Sequence, residues 1–131
     1  MFKNIGAVDR LFADPDSRFR GAPFWAWNTT LDKEQIRRQI GYLKEMGMGG
    51  FHMHSRTGMA TDYMEDEFKA CVKACVEKAK KEGMFAYLYD EDRWPSGAAG
   101  GRVTKDEEYR SRYLVFTPVS IIPSLPTESK Q

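Results

Sequence analysis

Cysteine is scarce in this chain: among 131 residues only Cys71 and Cys75 occur. Four-residue spacing within a helical pattern sets them side by side on one face rather than in bridging geometry, so they read as reduced, buried small residues. No stretch approaches the roughly 18 uninterrupted apolar residues of a transmembrane helix. The N-terminus, with Lys3, Asp9 and Arg10, lacks the apolar core of a signal peptide, so as given the chain reads as cytoplasmic, with no membrane partner. Neither sign of charge is in excess. Lys and Arg number 20 against 19 Asp and Glu, a formal charge of +1, which removes nucleic acid as the default partner. There is no Cys-x-x-Cys pair and no His-Glu-x-x-His helix, so no metal or cofactor is expected. Ser55 and Ser96 sit in no Gly-x-Ser-x-Gly elbow, which argues against a serine hydrolase of the usual α/β kind. The run Gly97-Ala98-Ala99-Gly100-Gly101 lacks the spacing and the Lys-Ser/Thr of a phosphate cradle and reads as a turn.

What is present is an ordinary globular balance rich in rings. Hydrophobic residues make up 41%, charged residues 30%, and there are 8 Phe, 6 Tyr and 3 Trp, too apolar a mixture for wholesale disorder. The length suits one domain with one core.

Residues 1–21 carry mixed signals around the Asp14-Pro15-Asp16 turn and read as an irregular lead-in. Pro23-Phe24-Trp25-Ala26-Trp27-Asn28 is a short aromatic run that suits a buried strand. Asp32 and Gln35 have capping-box spacing, Leu31 and Ile36 can form a hydrophobic staple, and Ile36, Ile40, Leu43 and Met46 continue an apolar helical face that Gly47 stops. After Gly49-Gly50, the period-two run Phe51-His52-Met53-His54-Ser55-Arg56 predicts a strand with Phe51 and Met53 on one face and His52, His54 and Arg56 on the other. Asp62 and Glu65 repeat the capping-box spacing, and Phe68, Cys71, Val72, Cys75, Val76 and Ala79 form a second stripe ending at Gly83. Met84 to Tyr89 predicts a third strand running into Asp90-Glu91-Asp92-Arg93-Trp94. Residues 103–112 suggest a helix, residues 113–117 a further strand, and the Pro-rich residues 118–131 an extended or disordered tail.

Strand, helix, strand, helix, strand with short connections is the α/β pattern of parallel βαβ units, a βαβαβ segment. Ligands of such sheets bind at the carboxyl ends of the strands. The informative residues fall there: Trp27-Asn28, then His54-Ser55-Arg56, then Asp90 to Trp94. Three adjacent carboxylates raise one another's pKa, which suits acid/base work or a cation, although Asp92 could simply pair with Arg93. Glu91 continues the parity of Tyr87 and Tyr89, so these three should point the same way. His52 and His54 could bind a common ligand or be structural. Trp25, Trp27, Tyr87, Tyr89 and Trp94 offer flat faces on which sugar rings could stack, although Trp25 or Trp27 alone would more often be core.

The three runs Pro23 to Asn28, Gly49 to Gly58 and Tyr89 to Gly101 together resemble the N-terminal barrel segment of large bacterial glycoside hydrolases related to family 106, the α-L-rhamnosidase type. That resemblance implies a (β/α)8 barrel, hydrolysis of O-glycosidic bonds by two carboxylates on separate strands, and a carbohydrate substrate at the strand ends. It nominates Glu91 for direct chemistry, with Trp25, Trp27, Asn28, His52, His54, Arg56, Tyr89, Asp90, Arg93 and Trp94 gripping the sugar. A complete barrel needs about 250 residues. Residues 22–117 would therefore form a partial TIM barrel of three of the eight strands, a fragment lacking part of its catalytic apparatus, with open edges that invite self-association. The alternative is a non-catalytic carbohydrate-binding or interaction module. A small doubly wound domain is a third reading, disfavoured by having only three strands and no phosphate signature.

Overall fold

The computed structural model describes residues 5–95, 97–114 and 116. Helix α1 (Ile5–Ala13) precedes β1 (Phe24–Trp27), α2 (Lys33–Glu45), β2 (Gly50–Ser55), α3 (Asp66–Glu82) and β3 (Phe85–Asp92). The strands form one open, all-parallel sheet in the order β1-β2-β3, the βαβαβ segment read from the alternation of patterns. Two crossovers of the same hand, running in one direction along the sheet, place α2 and α3 on a single face, where the helices meet each other.

Local chemistry sets the element ends. The Asp32 carboxylate caps α2 by accepting the Gln35 N–H at 2.7 Å, while Leu31, Ile36 and Ile40 are buried beside it. Helix α3 starts at Asp66, three residues later than the Asp62–Glu65 spacing predicts. Glu65 is its N-cap and makes no side-chain cap bond, because its carboxylate pairs with Arg102 instead. Asp66 and Glu67 in the first turn and Lys80 and Lys81 in the last complement the helix dipole. Gly83 ends the helix in the left-handed region at φ 64°, and its N–H bonds back to the last turn.

The core lies between this helix pair and one face of the sheet. Trp27, Phe51, Met53, Phe68, Cys71 and Cys75 form its centre, with Ala79 and Met84 behind them. Burying each large side chain contributes about 1.5–3 kcal/mol.

Residues 1–21 are not irregular throughout. Residues 5–13 are helical, and Asp16 caps a 3₁₀ turn at Ser17–Phe19. Val8, Leu11 and Phe12 stand at helical spacing, which outweighs the absence of an acidic first turn. Residues 14–21 pack under the N-terminal end of the sheet, where Gly49 N–H donates to Gly21 at 2.9 Å and Ser17 Oγ donates to the Gly83 carbonyl. Arg20 ties the segment together by donating to the Pro15 and Gly47 carbonyls and pairing with Asp14. Residues 103–112 form turns and a short 3₁₀ helix, Glu107–Tyr109, rather than an α-helix, since no apolar face is available there to dock. Tyr113, Leu114 and Phe116 are exposed and belong to no strand; Val115, Thr117 and the tail 118–131 lie outside the described residues.

Candidate functional site

The sheet has two faces and a carboxyl edge, and alternation along each strand distributes the nominated residues among them. Trp25 and Trp27 are on the helix-covered face. Trp27 is 3% exposed and packs edge-on against Phe68 at 5.7 Å, and Trp25 meets Phe51 at 5.4 Å. Trp27 is therefore a core member, and Trp25 is partly buried against that core. The physical reason is parity: Trp25 pairs with the core residue Met53 and Trp27 with Ser55, on the face that the helices cover.

On the opposite face the rings form an array that no helix among the described residues covers. Phe24 is opposite His52 and lies against His54 with centroids 4.4 Å apart. His52 stacks on Tyr87 at 4.6 Å and 17°, and its Nδ1–H donates to the Ala22 carbonyl at 3.2 Å. His54 is 1% exposed, with Tyr89 edge-on at 4.3 Å, and neither of its ring nitrogens has a hydrogen-bond partner. Burial, with Arg56 adding to it, pushes its pKa below the usual histidine value, while the charge of Glu91 opposes the shift. His54 is thus held as a neutral ring that solvent does not reach, and Glu91 lies near enough for its charge to be felt there.

At the carboxyl edge, β3 runs on through the acidic cluster instead of stopping at Tyr89. Met53 stands opposite Leu88 but Ser55 opposite Asp92, so β3 spends four residues where β2 spends two, an expanded bulge facing His54. Asp90 is exposed, and its carbonyl accepts the Tyr63 hydroxyl at 3.1 Å. The side chain of Asp92 is only 3% exposed, with the Arg93 Nε at 3.4 Å. Arg93 sits at φ 64° and, like Trp94, is exposed. Asn28 and Arg56 are exposed at the ends of β1 and β2, where Arg56 N–H donates to the Trp27 carbonyl at 2.9 Å. Gly58, at φ 100°, lets the β2–α3 loop lie against Asn28, since a Cβ there would fall 2.8 Å from the Asn28 carbonyl oxygen. The edge therefore gathers Asn28, Arg56, Asp90, Glu91, Arg93 and Trp94, while Trp25 and Trp27 lie on the helix-covered face.

Sequence reasoning missed Tyr63. It packs on Phe68 at 5.1 Å and lies beside Asp92 and Asp90; burial first, and these carboxylates second, push its phenol up. With Thr61, Asp62, Asp92, Arg93 and Arg102 it lines a cleft of about 690 Å³ between the loops following β2 and β3. The available signal was an aromatic between polar residues in a strand-end loop, but reading Asp62 as a helix cap hid it.

The class these elements define is an open α/β segment of parallel βαβ units with a polar carboxyl edge. The fold of this segment is similar to part of the solved structure of a rhamnosidase from Novosphingobium sp. PP1Y, which matches with a TM-score of 0.58 and 24% sequence identity over 66% of this chain. The chain spans 9% of the length of that protein, and the likeness is one of fold. No protein-family model and no curated protein matches the chain.

Proposed function

We propose that the chain is a sugar-handling segment of a glycoside hydrolase barrel, carrying the carboxyl ends of three of its strands. The observation that supports this is the convergence of Asn28, Arg56, Asp90, Glu91 and Arg93 on one edge of a parallel sheet, beside the ring array of Tyr87, Tyr89 and Phe24. The fold likeness to a rhamnosidase points the same way.

In this reading Glu91 supplies one carboxylate, as general acid or as base, to a glycosidic oxygen or an attacking water, and the second carboxylate comes from a further strand. Asn28, Arg56 and Arg93 donate to sugar hydroxyls, Asp90 accepts from them, and Trp94, 68% exposed, offers a stacking face at the rim. A polar edge of this kind carries no charge excess that would favour nucleic acid.

The test is incubation of the purified chain with aryl glycosides, following both tryptophan fluorescence and release of the phenol. Saturable binding with turnover below detection is the expected result. Turnover abolished by Glu91→Gln would show that three strands suffice and would overturn the claim of incompleteness. Absence of binding would sink the sugar reading, and binding without turnover in any longer chain carrying these residues would favour the non-catalytic module.

A further inference from the structure

Asp92 and Glu91 are neighbours on β3, yet they serve different surroundings. Glu91 acts on His54, while the little of Asp92 that is accessible lines the cleft between the β2–α3 loop and the segment after β3. We infer that this cleft is a separate binding site for a neutral pyranoside, anchored by Asp92; the inference deepens the carbohydrate reading and rests on it for the class of ligand.

Three observations carry it. Among the described residues Asp92 Oδ1 is fully buried and accepts no hydrogen bond, and the cation paired with it, Arg93 Nε, stands at 3.4 Å on a side chain 46% exposed. A carboxylate buried with so loose a partner is under-satisfied, and hydroxyl donors from a ligand would relieve it. The lining is also balanced: Arg93, Arg102 and Lys105 face Asp62, Glu65 and Asp92, with Arg102 already paired to Glu65. That balance disfavours phosphates and polycations and suits an uncharged polyol that both donates and accepts. Finally, the walls are built. The Tyr63 hydroxyl is fixed on the Asp90 carbonyl, leaving its lone pairs to accept, and Gly100 at φ 68° closes on Tyr63 so tightly that a Cβ would lie 3.1 Å from the Tyr63 Cβ. The volume of about 690 Å³ is within the usual range of small-ligand sites.

The experiment is amide chemical-shift titration of the full chain with methyl α-L-rhamnopyranoside and methyl β-D-glucopyranoside, with D-glucuronate and inorganic phosphate as charged controls. A neutral pyranoside is expected to shift residues 59–65 and 98–105 saturably. Asp92→Asn should weaken this about tenfold or more, and Arg102→Ala, on an exposed wall that the fold does not need, about threefold. Glu91→Gln should leave these shifts in place. Shifts confined to residues near Glu91 and His54 would overturn the cleft and leave the carbohydrate reading standing, whereas no shifts anywhere would overturn both. Equal binding by the wild-type and Asp92→Asn chains, or response to phosphate or glucuronate alone, would also overturn the assignment.

Discussion

His54 and Tyr89 meet edge to face across the ends of β2 and β3, their ring centroids 4.3 Å apart. The contact closes the imidazole in against Phe24 on its other flank and leaves it buried without a proton acceptor or donor. Burial lowers the His54 pKa in the folded chain below the 6.5 of an unperturbed histidine. The unfolded chain therefore takes up the proton first as pH falls. Stability from this residue is fully present above pH 6.5 and is lost as pH drops below that value. Urea unfolding between pH 7.5 and 5.5 should show a falling free energy, and His54→Gln should flatten that slope; an unchanged slope in the variant would remove His54 as its source.

The burial of Trp27 predicts a contrast between two indoles. Trp27→Ala empties a core position that is 3% exposed and should cost about 3–5 kcal/mol. Trp94→Ala, at a position 68% exposed, should stay within about 0.5 kcal/mol while weakening sugar binding. Denaturant midpoints of the two variants check the first statement and fluorescence titration the second.

Two glycines separate packing from propensity. A Cβ on Gly49 would lie 2.1 Å from the Ser17 carbonyl oxygen and 2.8 Å from the Arg20 Cβ, so Gly49→Ala must displace backbone and should destabilise by about 2 kcal/mol or more. Gly41, inside α2, has nothing within 4 Å of such an atom, and Gly41→Ala should stabilise by about 0.5–1 kcal/mol. Thermal melts of opposite sign are the expected outcome.

Cys75 is buried, and its thiol is pushed up to about 12 by desolvation, with Cys71 adding to the shift. At pH 8 the native chain should react with iodoacetamide about a thousandfold more slowly at Cys75 than the urea-unfolded chain does. Rapid native labelling detected by mass spectrometry would show that the core opens readily.

The uncovered ring face bears on assembly. Phe24, Phe85 and Tyr87 are 56%, 42% and 43% exposed; Phe85 lies beside Tyr87, and His52 bridges Tyr87 to Phe24 across the sheet, a surface that we expect to self-associate. Size-exclusion chromatography should give a concentration-dependent elution volume, and Tyr87→Glu should move it toward the monomer. A sharp monomer peak at all concentrations would contradict the expectation.

Much of this scaffold is legible in the sequence. The alternation Phe51 to Ser55, the Asp32 cap and the Gly83 stop each report a local rule that tertiary packing did not override. Parity could not tell which face the aromatics of β1 present, because Phe24 and Trp25 alternate equally well in either orientation. Only the pairing of Trp25 with Met53 and of Trp27 with Ser55 decides it. The cleft stayed hidden for a related reason: Asp62 and Glu65 have the spacing of a cap, yet Glu65 spends its carboxylate on Arg102 and Asp62 lines the cavity. Asp92 was legible as a charge but not as a buried one, since its burial depends on the added residues in β3.

Those added residues also govern how separable the chemistry is. Because the surplus between Leu88 and Asp92 is two, an even number, it advances the strand without exchanging its faces. Odd and even positions beyond it keep their own compartments, which is why neighbouring carboxylates can be addressed independently. Deleting one residue from Tyr89 to Glu91 would do more than shorten a loop. It would invert the count, turn Asp92 toward the rings and leave the cleft without its anion.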